Sequence, residues 1–159
     1  MRSLPKHLRP RYRYLGVSIE TWPDTDLDRR TVQAALWDQA RSLLGDIGSA
    51  DVDLRVIQFQ FADGAGEMIV RTTHRQVGTA RAALACVDRV DGDPIGLAVE
   101  GISGTVRACK EKHMRTRQKA ETEKRVVFGN AARTAIQRSD RVDVRIDDAF
   151  TGATTLDLE

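Results

Sequence analysis

The chain has 159 residues, of which 41% are apolar and 30% charged. These values are typical of a globular domain and argue against disorder of the whole chain. No apolar run approaches the ~20 residues of a membrane span, and no apolar stretch follows the basic N-terminal residues as it would in a secretory signal. Two cysteines, Cys86 and Cys109, are too few for a disulfide framework and are interpreted as small buried hydrophobic residues. We therefore expect one soluble, cytoplasmic domain with no membrane partner.

The charges are sorted along the chain, although the net charge is only +2. Residues 1–20 carry +4 and residues 107–141 carry +7, whereas 21–65, 66–106 and 142–159 carry −4, −1 and −4. Two basic blocks therefore flank a mildly acidic middle, which predicts a defined patch for a polyanion such as RNA or DNA. For either block alone, a solvated charged helix is the alternative.

The first half of the chain predicts a basic arm, a strand and a helix. Pro5 and Pro10 favour an extended arm over residues 1–12. Residues from Arg13 onward alternate as a strand, with small side chains on the outer face. Asp28 suits the N-cap of a helix and Gly45 its C-terminal end. Apolar residues recur at helical spacing between them, at Val32, Ala35, Leu36, Ala40, Leu43 and Leu44.

The next segments predict two strands, a helix and a strand. Strands at 54–61 and 67–73 are joined by a turn at Asp63-Gly64, and a helix at 75–87 precedes a strand at 95–101. The order β-α-β-β-α-β predicts an α+β two-layer sandwich: a four-stranded antiparallel sheet of ferredoxin-like or RRM-like order, with both helices on one face. The other face is predicted to be open for RNA or protein. The predicted core comprises Leu15, Val17, Leu36, Leu43, Ile57, Phe59, Val70, Leu84 and Val99.

The C-terminal third predicts a charged helical region. A basic helix is expected over 106–125, a second helix over 130–137, and a short strand where Val142, Val144 and Ile146 alternate. The predicted organisation is a basic extended arm at 1–12, a core domain at 13–117 that includes the start of the basic helix, and a charged helical extension with an acidic tail at 118–159.

No motif in the chain predicts catalysis or metal binding. Cys109 and His113 are spaced to share a helix face, but two further ligands of a zinc site are missing nearby. The Asp24-Asp26-Asp28 series lacks the glycine and the terminal glutamate of a calcium loop and is interpreted as an acidic turn. We predict no catalytic residue, no metal ligand and no cofactor bound by the chain itself.

The segment after the predicted fourth strand favours phosphate binding. Ser103, Gly104 and Thr105 lead into a helix, whose free N–H groups and dipole attract an anion, and cations follow in the first turns. The alternative is a simple Ser/Thr cap. With the cations of the arm, the predicted RNA-binding residues are Arg9, Arg11, Arg13, Ser103, Gly104, Thr105, Arg107, Lys110 and Lys112. The predicted third strand, which carries no ring, argues for phosphate contacts rather than base stacking.

Three segments stand out in their order and spacing: Leu4-Pro5 through Tyr14, Ala35-Leu36-Trp37 through Gly48, and Gly101 through Arg107. Together they resemble the archaeal ribonuclease P protein component 2 family, the counterpart of the eukaryotic Pop-five subunit, and the resemblance covers about residues 4–117. It implies a non-catalytic protein subunit of the RNA-based endoribonuclease that removes 5′ leaders from precursor tRNA. The implied partners are a catalytic RNA with bound magnesium, precursor tRNA, a TIM-barrel-type protein subunit and a second copy of the chain.

Two other functions remain open from the residues. One is a dimerising βαββαβ ligand-sensing or protein-interaction module that does not bind RNA, although such a module does not require the segregated +7 block. The other is a small enzyme of acylphosphatase-like architecture. The acidic segment after the first strand, Trp22-Pro23-Asp24, argues against the phosphate-cradling loop that such an enzyme needs.

Overall fold

The computed structural model describes residues 3–114, 122–138, 140–154 and 156–158. A short 3₁₀ turn, Lys6–Leu8, precedes the first strand, and another, His74–Gln76, precedes the second helix. The first unit contains β1 Tyr12–Glu20, α1 Arg29–Val52, β2 Arg55–Ala62, β3 Ala65–Thr73, α2 Val77–Ala85, β4 Arg89–Val90, β5 Asp93–Pro94, β6 Gly96–Ser103 and α3 Val106–His113. The second contains β7 Thr122–Phe128, β8 Ala131–Arg138, β9 Arg141–Ile146 and β10 Ala149–Ala153.

The first sheet has the order β2-β3-β1-β6, and each neighbouring pair is antiparallel. Alternation along β1 places Leu15, Val17 and Ile19 on the face against α1 and α2, where Leu36 and Leu84 complete the core. The α+β class and the antiparallel sheet are therefore confirmed. The element order is longer than the six elements predicted, because the hairpin β4–β5 lies between α2 and the last strand of the sheet.

Helix α1 begins as predicted but does not end at Gly45. The Asp28 carboxylate accepts a hydrogen bond from the Thr31 N–H at 2.7 Å and caps the helix. Gly45 has φ 73° and ψ 179°, a conformation that interrupts the helix, yet the chain returns to helix until Asp53 ends it at φ 47°. Leu43, two residues before this kink, is 46% exposed, so its placement in the core was wrong.

A β-bulge changes the predicted alternation of β2. The register shifts between Val56 and Gln58, so Val56 faces the core and Ile57 is only half-buried. Beyond the bulge, Phe59 again packs against the core. Five of the predicted core residues are fully buried and two, Phe59 and Val99, are partly buried against the core; the five are Leu15, Val17, Leu36, Val70 and Leu84.

Helix α3 covers part of the sheet face that was predicted to be open. It contacts β1, β3 and β6 and buries Cys109 against that face, where Ile69 is also fully buried. Gly16 and Gly101 are cross-strand partners, and the His113 ring occupies the space above them that two side chains would otherwise fill. The first unit is therefore three layers thick where α3 lies.

The predicted helical extension is wrong within the described residues, because strands β7 to β10 occupy this region. The basic helix ends at His113, and residues 122–125 and 130–137 lie in or next to strands rather than in helices. Residues 115–121 of the predicted helix lie outside the described residues. The short strand predicted around Val142 to Ile146 is confirmed as β9. The four strands form an antiparallel sheet in the order β10-β9-β8-β7 with its own apolar cluster, including Ala135, Val142 and Val144.

The second sheet contacts the first unit at the end of β1. Arg138 and Asp143 are both buried and form an ion pair, and Arg138 also donates to the Thr21 carbonyl at 2.8 Å. Arg141 forms an ion pair with Glu20. Burial alone would lower the pKa of Arg141, but the negative charges of Glu20 and Asp143 outweigh this effect and raise it. Nearby, the rings of Trp22 and Phe150 meet edge to face.

Candidate nucleic-acid interface

Strand register gathers cations at one end of the first sheet. The start of β1 pairs with the end of β3 and the end of β6, and the start of β2 pairs with the end of β3. We call this region the basic end and define it by Arg11, Arg13, Arg55, Arg71, Arg75 and Arg107. Among the described residues, two of these arginines form ion pairs: Arg71 with Asp53, and Arg107 with Glu111 on α3.

The predicted phosphate-binding loop lies at this basic end. Thr105 caps α3, since its hydroxyl accepts a hydrogen bond from the Ala108 N–H at 3.1 Å. Ser103 is 94% buried, at 6% relative exposure, and its hydroxyl has no hydrogen-bond partner among the described residues. Gly104 is exposed, and a side chain added there would have the Arg13 guanidinium as its nearest neighbour, 4.0 Å away. The loop, the helix N-terminus and Arg13 therefore surround one exposed position suited to an anion.

The predicted cations of α3 lie on its exposed side. Arg107, Lys110 and Lys112 are all exposed, and Arg107 forms an ion pair with Glu111 one turn later at 3.0 Å. An exposed pair of this kind contributes about 0–1 kcal/mol, so Arg107 is readily released to another anion.

The predicted cations of the arm are not all gathered at the site. Arg9 turns back on its own arm, where it donates to the Leu4 carbonyl at 2.8 Å and to the Ser3 hydroxyl at 3.2 Å. Arg11 is exposed, and its carbonyl accepts a hydrogen bond from the His74 N–H at 2.9 Å, which ties the arm to the end of β3. The structure therefore brings Arg11 and Arg13 to the basic end but not Arg9.

Sequence reasoning missed Arg55, Arg71 and Arg75. The Arg71 guanidinium lies 4.0 Å from the centre of the Tyr12 ring and forms an ion pair with Asp53 at 3.3 Å. Each of the three is a single arginine in a segment with little net charge, so no local pattern distinguished them. Only the register of the strands, which the sequence did not supply, places them together.

The described residues were also compared with the requirements of a metal site and of a membrane span. No group of three or more His, Cys, Asp or Glu side chains within the described ranges is arranged to hold a metal ion. Burial raises the pKa of the Cys109 thiol, which disfavours the thiolate that a zinc site needs. Among the helices that the structure describes, none combines the length and apolar character needed to cross a membrane.

Comparison with known proteins identifies the class of protein. The model of the Rpp14/Pop5 family matches residues 13–114, and the chain belongs to this family. Two proteins named "Ribonuclease P protein component 2" are similar to it over the full length. That of Halorubrum lacusprofundi is 52% identical over 159 residues, covering 100% of both chains, and that of Haloarcula marismortui is 53% identical over 160 residues, covering 99% of each. The family resemblance inferred from the sequence motifs is thus confirmed.

One solved structure is also similar. A chain in the cryo-EM structure of yeast ribonuclease MRP superposes with a TM-score of 0.47 at 17% identity, covering 63% of this chain and 79% of that chain.

The family model ends at residue 114, just after α3, whereas the two archaeal relatives match through the second sheet. The second sheet therefore lies outside the residues that the family model matches, whereas the sequence similarity to the two archaeal relatives extends through it.

Proposed function

We propose that this chain is a protein subunit of ribonuclease P that binds and supports the catalytic RNA during removal of 5′ leaders from precursor tRNA. The observation that carries this proposal is the basic end, where the N-terminus of α3 and Arg13 surround the exposed Gly104. Backbone N–H groups at a helix start and arginine side chains are the groups that proteins use to hold nucleic-acid phosphates. The similarity to relatives named as ribonuclease P subunits supports the same function.

In this function the chain positions RNA and does not cut it. Arg13, Arg107 and Lys110 bind backbone phosphates electrostatically, and the buried Ser103 hydroxyl donates a hydrogen bond to a phosphate oxygen that approaches Gly104. Hydrolysis is assigned to the RNA subunit and its magnesium ions, and the chain acts by holding that RNA in its working shape.

Protein partners are part of the proposal. They are a TIM-barrel-type subunit and a second copy of this chain, with precursor tRNA bound by the assembly. Apolar surface is available for protein contact on the outer side of α1, where Leu43 is 46% and Ile47 82% exposed. This surface lies on the helical layer, whereas α3 lies on the opposite face of the sheet, so a protein partner would bind α1 beside the RNA.

The first experiment tests the α3 site. The double variant Arg107→Ala/Lys110→Ala is expected to bind the ribonuclease P RNA more weakly and to reduce the logarithmic salt slope by roughly one to two, since each phosphate contact contributes about 0.7–0.9. The matched control, Arg41→Ala/Arg81→Ala, removes two exposed arginines from α1 and α2 and should leave the slope unchanged. A slope that is unchanged in the α3 variant would assign this helix to solvent or to a protein partner.

The second experiment tests the division of labour. The purified chain alone should leave precursor tRNA intact, and magnesium-dependent cleavage should appear when the catalytic RNA and the other protein subunits are added. Cleavage by the RNA-free chain at the rate of the assembly would contradict a supporting role. A chain that binds no RNA would instead favour the dimerising ligand-sensing or protein-interaction module.

A further inference from the structure

One row of side chains crosses all four strands of the first sheet. Arg55 on β2 is the register partner of Arg71 on β3, Arg71 is the partner of Tyr14 on β1, and Tyr14 is the partner of Ser103 on β6. Cross-strand partners lie on the same face of a sheet, and this is the face that carries α3. The row therefore connects Arg55 and Arg71 with the loop at the start of α3.

The pairing of Arg55 with Arg71 is electrostatically unfavourable. Like charges directly opposite each other destabilise a pair of strands. Asp53 offsets this in part, because it bonds the Arg71 guanidinium at 3.3 Å. The side chain of Arg55 is exposed and has no hydrogen-bond or ion-pair partner among the described residues. One cation of the pair is therefore uncompensated.

Arg71 is also held in a fixed position with a donor unused. Its guanidinium lies over the Tyr12 ring at 4.0 Å, which restricts its conformations, and its Nε is buried with no hydrogen-bond partner among the described residues. A preorganised guanidinium whose side chain keeps 21% exposure, beside a second uncompensated arginine, has the features of a site for an oxyanion.

We propose that Arg55 and Arg71 form a second phosphate site, which binds the backbone of the same RNA that contacts the N-terminus of α3. This inference rests on the proposed function. Three strand spacings separate β2 from β6, about 14 Å in all, so the row is too wide for one phosphate and suits a stretch of backbone that crosses the end of the sheet. The two sites thus define the path of the RNA backbone, which crosses the end of the sheet between the β2 edge and α3.

The test compares Arg55→Gln with the matched control Arg81→Gln in the full-length chain, using ribonuclease P RNA as the probe. Arg55→Gln should reduce the logarithmic salt slope by about 0.7–0.9, the contribution of one phosphate. It should not lower the Tm, because it removes a like-charge neighbour from Arg71. Arg81→Gln, which removes the same charge from the exposed side of α2, should change neither quantity.

The outcomes separate this inference from the proposed function. If Arg107→Ala/Lys110→Ala reduces the slope and Arg55→Gln does not, the second site is wrong while RNA binding at α3 stands. If the wild-type chain shows no salt-dependent binding to this RNA, both fail. If Arg55→Gln loses affinity but its Tm also falls, Arg55 has a structural role, which would also overturn the inference.

Discussion

At the scale of single residues, two glycines fix the position of α3. Gly16 on β1 and Gly101 on β6 are cross-strand partners, and the absence of their side chains leaves room for the His113 ring. His113 is the last residue of α3, so the far end of the helix is held against the sheet while its N-terminus remains at the basic end. The sequence showed a flat outer face on β1, but not that a histidine ten residues after the end of β6 would fill it.

The first prediction concerns this fit. A methyl group at position 101 would overlap the His113 ring, so Gly101→Ala should displace α3, and overpacking of this kind typically costs about 1–3 kcal/mol. Removing the ring as well, in Gly101→Ala/His113→Ala, should recover part of the lost Tm. Thermal unfolding of these two variants and of His113→Ala checks this. A double variant whose loss of stability equals the sum of the losses in the two single variants would show that the residues do not meet.

A second prediction at this scale concerns Glu67. Burial, and then repulsion by Glu100, raise the pKa of its carboxyl above the ordinary 4.5. The folded state therefore binds this proton more tightly, so its contribution to stability is present at low pH and is lost as pH rises from the unfolded pKa through the folded one. Glu67→Gln should raise the Tm at neutral pH, and the gain should vanish below the ordinary pKa. A Tm difference that does not depend on pH would exclude this cause.

At the scale of elements, local signals were predictable and long-range ones were not. The cap at Asp28 and the turn at Asp63-Gly64 depend on neighbours along the chain, and both were found from the sequence. Strands β7 and β8 were taken for helices because their charged residues mask a short alternation. Their apolar side chains are buried only by pairing within the second sheet, which is a tertiary effect. The Ile57 bulge has no local signal for the same reason.

The sequence indicated one part of the candidate site and not the other. The loop before α3 was recognisable because Ser103, Gly104 and Thr105 are adjacent in sequence and precede a cationic helix. Arg55 and Arg71 became visible only through the register that pairs β2 with β3. A contact between distant strands leaves no periodic signal in one sequence, and the arginine row therefore required the fold.

The third prediction concerns how the second sheet is attached. Asp143→Asn removes the charge that faces the buried Arg138 guanidinium, and breaking a buried ion pair in this way costs about 3–5 kcal/mol. Hydrogen exchange should accelerate in β8 and β9 while the first sheet remains protected. Asp148→Asn, an exposed position on the turn before β10, is the matched control and should exchange like the wild type. Uniform loss of protection in both sheets would mean that they unfold as one unit.

At the scale of the whole molecule, charge is separated between two ends of the first sheet. The end opposite the basic end carries Glu20 at the end of β1, Asp63 in the turn between β2 and β3, and Asp93 at the start of β5. The second sheet covers part of this end with Arg138, Arg141 and Arg145, and Arg145 lies 3.7 Å from Asp24. The second sheet therefore neutralises carboxylates at the end that a polyanion would avoid, and leaves the arginine-rich end free.

The last prediction follows from this separation. The two apolar clusters share no residue, and every proposed RNA contact lies before the second sheet. A chain that ends after Glu121 should therefore keep the first sheet and the salt slope of its binding to ribonuclease P RNA. Its Tm should fall, because Trp22 and Glu20 lose their partners in the second sheet. Circular dichroism and a salt titration measure the two quantities. A shortened chain that is folded but has lost most of its salt slope would place essential RNA contacts on the second sheet, and the basic end would then not be the main interface.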